Sequence, residues 1–458
     1  MATIMTAMTS DLYSHGRSDP EYYLPNHTAV EADLLAVPTA PLRKLGHFSC
    51  SAFYPAATHL YNEEGRPFLR CVDIVEYPII SNDQPFARIP MEFADAYSTI
   101  RHLKAGDIVI SKVGSPCFAS LLSTDMEDAA MTRTVLGMSS INTELVDPHY
   151  LIAFLRSRYG FDQLMREREL TIQYQLTLDR TRKVKVFTPP ITVQNQVGDI
   201  VRKYYQCLSE SKDAYTQAQQ LLESELGLDK LRFDKPVGYT ARFSELELSH
   251  RTDAQHYQPR FTRLLEHLAK FPTGRIRDIR RYNRRGIQPV YVDGGSHAVV
   301  NSQHLGPKHI NYDGLQKTNE HIFNASPEAH IQPDDLLIYT TGAYIGRTNV
   351  YLDEAPAFAS NHVNILRLSP DIDHAYMAMV FQSIIGQFQT QKHARGSAQA
   401  ELYPADIDKF MVPLLPPDKQ QEIGNLVRES LTKQRESAQL LDQAKSRVEQ
   451  LIEEAVRA

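Results

Sequence analysis

The chain has 458 residues, more than a single hydrophobic core usually organises, so two or three domains are expected. Hydrophobic residues make up 42% and charged residues 23%, with proline and glycine scattered, which excludes a disordered or fibrous class. The net charge of -6 excludes a uniformly basic nucleic-acid binder; a surface for phosphate would have to be local.

Residues 1–16 read as an N-terminal extension, with no positive charge and no apolar run before Asp11, and so are not expected to be a secretory signal. No later stretch approaches the roughly 18 apolar residues of a membrane helix, so no membrane partner is expected. Cys50, Cys71, Cys117 and Cys207 lie far apart without a CxxC pair, which argues against zinc and against a disulfide framework. A cytoplasmic home follows most simply.

From residue 17 the chain is written twice. Arg17, Asp19, Tyr23 and Pro25 recur as Arg251, Asp253, Tyr257 and Pro259, an offset of 234 (from 17 to 251), and Leu42-Arg-Lys-Leu45 meets Ile276-Arg-Asp-Ile279 at the same offset. Residues 105–115 resemble residues 333–343 at an offset of 228, both strand-like with glycine at the turn. Leu176, Lys183, Val186, Pro190, Gln194, Gly198 and Val201 recur as Leu402, Lys409, Val412, Pro416, Gln420, Gly424 and Val427, offset by 226. The drift in offset places a net loss of residues in loops of the second copy.

Each copy therefore has one order of elements: a short amphipathic helix (about 26–36 and 260–270), mixed short strands, a proline-rich exit, then a long helix. Prolines at 189–190 and 416–417 suit helix starts, where the first amides lack intrahelical partners. In the first long helix Val197, Val201, Tyr204, Leu208, Ser211, Tyr215, Ala218 and Leu222 follow steps of four and three. Ile423, Val427, Ser430, Gln434, Ser437, Leu441, Ala444, Val448 and Leu451 do the same in the second. Such stripes form a coiled-coil seam, expected to run antiparallel because each helix leads away from its own domain; alternatively each stripe covers its own domain. A 26-residue helix would span roughly 39 Å, somewhat more than the roughly 34 Å of one DNA turn.

Catalytic signatures are missing from the residues. The Thr-Pro-Pro-Ile and Leu-Pro-Pro-Asp segments do not fit a methyltransferase's flipped-base site, and residues 342–348 have too few positions between glycines, and arginine in place of lysine, for a phosphate loop. Asp199, Glu210 and Lys212 have nuclease residue types but sit on an expected continuous helix, and the 17 histidines show no metal spacing.

The order of Arg-x-Asp-x-x-x-Tyr-x-Pro, the strand at 68–74, Gly106-Asp-Ile-Val-Ile-Ser-Lys-Val-Gly114, Pro-Pro followed by Gln194 or Gln420, and residues 444–452 resembles the specificity subunit of Type I restriction-modification systems over nearly the whole chain. The resemblance implies an α+β fold with two pseudo-symmetric target-recognition domains of mixed short strands and helices. Each is followed by a long helix, and the two helices pair as an antiparallel coiled coil. The expected boundaries are 17–189 and 251–415 for the recognition domains, 190–226 and 416–458 for the helices, and 227–250 for a linker. It further implies recognition of a bipartite site in double-stranded DNA, with two DNA adenine methyltransferase (modification) subunits and motor-nuclease (restriction) subunits as partners. No catalytic residue or cofactor would belong to this chain; S-adenosylmethionine, ATP and Mg would sit on the partners. Where the second copy has Arg395-Gly-Ser-Ala-Gln399, the glycine-containing loop typical of the family, the first has residues 170–174 without glycine, so that loop is expected to approach DNA differently.

Arginine reads guanine, glutamine reads adenine, and lysine positions phosphates, so the candidate DNA contacts are Lys112, Ser115, Gln173 and Tyr174 in the first domain. In the second they are Arg280, Arg281, Arg284, Arg285, Arg347, Arg395 and Gln399. Four of these lie in residues 275–286, which hold six arginines in twelve positions; residues 180–185 form a second basic run, and solvated surface charge is the alternative for both. Other readings are a recognition protein of the same build in another phage-defence or methylation system, a coiled-coil scaffold that does not bind DNA, and an unrecognised nuclease or methyltransferase.

Overall fold

The computed structural model describes residues 16–52, 58–62, 64–114, 117–126, 128–169, 174–233, 236–396 and 399–458. The fold is α+β, and it divides into two compact units: Met1–Leu208 with Arg435–Ala458, and Ser209–Gln434. The long helices Ile191–Glu225 and Pro417–Arg457 each contribute one part to either unit.

In the first unit a five-stranded sheet runs in the order His47–Ser49, Val135–Ser139, Ile108–Ser111, Ala119–Leu122, Ile79–Ile80. Ile108, Val109, Ile110 and Ser111 are all buried, because this central strand is covered on both faces. A four-stranded sheet and the pair Thr39–Pro41 with Lys185–Phe187 complete the strands. The second unit repeats the plan. Arg280–Arg285, Val363–Leu368, Leu336–Tyr339 and Thr348–Val350 form a sheet in that order, and Thr273–Arg275 pairs with Met411–Pro413. The edge strand that reads His-Phe-Ser in the first unit is the arginine-rich strand in the second.

The expected amphipathic helices are found at Pro25–Leu35 and Pro259–Leu268. Each unit also has a helical corner, Pro148–Arg156 with Arg158–Arg166 and His374–Gln382 with Ile384–His393. The corner needs glycine: a Cβ at Gly160 would lie 2.2 Å from the Phe154 carbonyl oxygen, and one at Gly386 would lie 2.2 Å from that of Phe381.

Most of the two stripes is buried and both readings of them hold together, although Leu208, Gln434, Leu441 and Leu451 are only partly buried and Leu440 and Ile452 take the buried places near the end of the second helix. In the first unit Val197, Val201, Tyr204, Ala444 and Val448 share one core cluster with Tyr150, Leu151 and Phe154 of the corner. In the second, Tyr215, Ala218, Leu222, Ile423 and Val427 share one with Tyr376 and Phe381. Pairing is antiparallel in each unit. Lys203 meets Glu436 at 3.0 Å in the first, while Glu210 meets Lys433 at 2.7 Å and Glu225 meets Lys419 at 3.0 Å in the second. The polar step in the stripe is satisfied, since Ser211 Oγ donates to the Ser430 carbonyl at 2.7 Å.

The repeated Gln, Gly and following Arg explain how each domain is fixed to its helix. Asp147 caps Pro148–Arg156 by accepting from the amides of His149 and Tyr150, and Asp373 caps His374–Gln382 by accepting from Tyr376. Gln194 accepts from the Asp147 amide at 3.1 Å and donates to the Pro189 carbonyl at 2.8 Å; Gln420 accepts from the Asp373 amide at 3.1 Å and donates to Leu415 at 2.8 Å. Arg202 and Arg428 pair with the two carboxylates. Glycine at 198 and 424 lets the caps approach, as a Cβ would stand 2.5 Å from Asp147 Oδ1 or 2.2 Å from Asp373 Oδ1.

Gly424→Ala is accordingly expected to destabilise the fold by about 1–3 kcal/mol through overpacking, read as a lowered urea midpoint. A midpoint at the wild-type value would show that the junction yields without cost.

Candidate nucleic-acid interface

Both units present a loop closed by the same backbone pairing. In the first, the Glu169 amide donates to Gln175 at 2.8 Å and the Gln175 amide returns to Glu169 at 3.3 Å. In the second, Arg395 and Glu401 exchange such bonds at 2.8 and 2.7 Å. Each loop rests on the end of a central strand: Val113 bridges Gln175, Thr341 bridges Glu401, and the Leu176 and Leu402 amides donate to the carbonyls of Lys112 and Thr340.

The Arg-x-Asp motif holds the base of these loops. Arg17 donates to Asp19 and, at 2.8 Å, to the Arg168 carbonyl; Arg251 donates to Asp253 and, at 2.9 Å, to Ala394. Hydrogen bonds from their arginines hold the Asp19 and Asp253 carboxyls below the usual range. The motif is a support for the loop and does not line it.

The placement of the sequence candidates is uneven. Lys112 is half-buried beneath the first loop. Ser115 and Gln173 lie outside the described residues. Tyr174 is 38% exposed, lies under the Arg168 guanidinium at 4.3 Å and donates to Glu21 at 3.3 Å.

In the second unit the arginine strand has a register shift between Arg280 and Tyr282, and from Tyr282 onward its side chains alternate between opposite faces. Arg280 makes two hydrogen bonds to Asp408, at 2.5 and 2.9 Å, and is held in a structural pair. Asn283 and Arg285 face residues 402–408: Asn283 donates to Pro404 at 2.8 Å, and Arg285 donates to Leu402 at 2.8 Å and lies over the Tyr403 ring at 4.6 Å. Tyr282 points the other way, to the Glu328 carbonyl at 2.7 Å. The exposed Arg284 shares that side by alternation, and Arg281 is also exposed. The strand therefore does not present one patch of four arginines.

Arg285 instead joins the loop. A cleft of about 550 Å³ is lined by Arg395, Gly396, Gln399, Glu401, Tyr403, Ala405 and Asp406. Arg395 is half exposed and donates to Asp406 at 2.8 Å; Lys409 donates to the same oxygen at 2.8 Å. Burial raises the Asp406 carboxyl, but these two cations outweigh it and leave it below the usual range. Gly396 has φ +97° and a Cβ there would meet the Gln399 carbonyl oxygen at 2.3 Å, so the loop turn demands glycine. Arg347 does not line this cleft: it lies 3.7 Å over the Tyr344 ring and donates to the Leu305 carbonyl at 3.5 Å.

The sequence reading missed a charge swap. At the offset of 226, Arg395 and Asp406 correspond to Glu169 and Arg180, which pair at 3.7 Å with the signs exchanged. Arg180 of the basic run 180–185 also pairs with Glu167 at 3.6 Å, so this arginine is neutralised within its own surface. A repeated pair of glutamines, Gln163 half-buried and Gln389 buried, was missed too. Gln163 bonds both backbone groups of Lys185 at 2.9 Å, and Gln389 bonds those of Met411 at 2.7 and 2.8 Å; both fall at the same offset and were visible as repeats. Among the described residues no group of three or more His, Cys, Asp or Glu could hold a metal ion. No helix among them is long and apolar enough to cross a membrane.

Residues 298–440 match the family model described as the Type I restriction modification DNA specificity domain, so the resemblance read from the repeated motifs is borne out there. No curated protein matches the chain. Among solved structures, a Type I restriction-modification S subunit from M. genitalium is similar at 11% identity and TM-score 0.43, over 92% of this chain and 94% of the other. The HsdS subunit from Thermoanaerobacter tengcongensis is similar at 16% identity and TM-score 0.29, over 92% and 96%.

Two outcomes follow from this geometry. Arg284→Ala combined with Arg285→Ala is expected to weaken DNA binding, with Arg285 carrying the larger share and the salt slope falling by about 1. Unchanged affinity at moderate salt would remove the strand from the footprint. His393, packed 5.8 Å from both His256 and Phe410 beneath the loop, is held at about 3 by burial, then by His256 and nearby lysines. The unfolded chain binds a proton at its ordinary value of 6.5 while the folded one does not. Stability is thus expected to fall as pH drops from 6.5 towards 3, and His393→Gln to flatten that slope in urea titrations.

Proposed function

Taking as premise that residues 298–440 match the specificity domain of Type I restriction-modification systems, we propose that the chain is the two-domain, non-catalytic specificity subunit of such a system. Each unit reads one half of a bipartite DNA site. Modification subunits methylate adenine at that site, and motor-nuclease subunits cleave DNA lacking the mark. Methyl donor, ATP and Mg are bound by those partners, and the complex works in the cytoplasm.

The observation that carries this reading is the loop built twice on the same backbone pairing but carrying different side chains: Arg395 and Gln399 line it in one unit, with Arg285 over the adjoining Tyr403 ring, and the exposed Tyr174 stands at it in the other. A common frame with different side chains suits two readers of different sequences. Phosphate contacts from arginine and lysine would set register, and amide and guanidinium groups would meet base edges. The partners' positive field would offset the chain's net charge of -6.

The test is to combine the chain with the DNA adenine methyltransferase encoded beside its gene and to sequence the methylated adenines in random DNA. Methylation at a split motif only when the chain is present is the expected result. Methylation of the same sites without it would refute the specificity role.

A further inference from the structure

A second cleft in the same unit has a composition unlike the first. It encloses about 320 Å³, and five of its ten lining residues are amides: Gln288, Asn301, Gln303, Gln316 and Asn361. None is Asp, Glu, Lys or Arg. A cleft for phosphate would carry cations and one for a metal would carry carboxylates, whereas neutral amides present a donor and an acceptor side by side.

The backbone beneath is firmly set. A Cβ at Gly286 would lie 2.1 Å from the Ala359 carbonyl oxygen, so the chain leaving the arginine strand is pressed against the strand Ala357–Ala359. Ile287 bridges Ser360, the Ser360 amide donates to Val300 at 3.1 Å, and the Val299 amide donates to the Gln316 carbonyl at 2.8 Å. Asn301 is occupied structurally, accepting from the Tyr291 hydroxyl at 3.1 Å. The amides of Gln288, Gln316 and Asn361 make no hydrogen bond to the described residues, and Gln288 and Gln316 are exposed. Three unengaged amides therefore stand on a fixed frame.

The cleft adjoins the cationic loop. Gln288 follows Arg285 by three residues, and the His362 carbonyl at the cleft's edge accepts from Thr340, the residue beneath the Arg395 loop. Cations that hold a backbone and amides that face bases are thus neighbours within one unit, the division of labour expected at a duplex. Val290, 55% exposed between Gln288 and Tyr291, adds an apolar group that suits the thymine methyl.

The geometry points to Gln288, Gln316 and Asn361 as determinants of sequence specificity, reading adenine in the major groove of the half-site bound by the second unit; this rests on the DNA-recognition reading above. The amide pairs with adenine N6 and N7, a pattern no other base offers, while a carboxylate would accept from cytosine N4.

The test uses the full chain with its methyltransferase partner and recovers the methylated motif from random DNA for wild type, Gln288→Glu, Gln316→Glu and Asn361→Ala. The glutamate variants keep shape at exposed positions, so folding is not at stake. For at least one variant, preference for adenine at one position of one half-site falls about tenfold, with cytosine gaining in the glutamate variants and the other half unchanged. An identical motif in all three variants would overturn the assignment of this cleft and leave the recognition role standing. Absence of any motif with wild type would overturn the recognition role, and this inference with it.

Discussion

Asp147 and Asp373 each cap the first helix of a helical corner and pair with an arginine on a long helix. A buried carboxylate left without such partners costs several kcal/mol, so the cap, the arginine and the glutamine about two turns before it on the long helix must all be in place together. That requirement ties the direction in which each long helix leaves to the orientation of the domain's innermost helix. Glycine at 198 and 424 is the concession the helix makes, giving up intrinsic propensity so that the cap can sit against its backbone.

From this junction order passes outward to the surface. The corner helices bury Tyr150 and Tyr376, whose hydroxyls reach the exit strands at Phe187 and Pro413, and Gln163 and Gln389 lock the neighbouring strand positions. The second corner helix then runs into the closed loop, whose base is held by Arg17 or Arg251. The closed base of the loop is thus the end of a path of packed and hydrogen-bonded elements. The swap of Glu169–Arg180 for Arg395–Asp406 fits this: the pair is kept for closure while the exposed charge changes sign.

Much of this order was legible because the chain repeats itself. The long helices, their seam and the helix starts followed from spacing alone, and Gln194, Gly198 and their partners stood out as repeated positions. Their purpose did not, since Asp147 lies 47 residues before Gln194 and nothing local connects them. The arginine strand misled for a related reason. Six arginines look alike in sequence, but Arg280 is bound by Asp408, 128 residues on, and strand alternation separates Arg284 from Arg285. The amide cleft escaped altogether, because its residues come from four separate segments with no shared pattern.

Hydroxyl-radical footprinting of the assembled complex on its own site tests most directly the claim that each unit contacts its own half of the DNA. The account predicts two separate protected patches, and loss of protection in one of them alone when Arg285 and Arg395 are both changed to alanine. A single continuous patch, or the simultaneous loss of both patches, would contradict it.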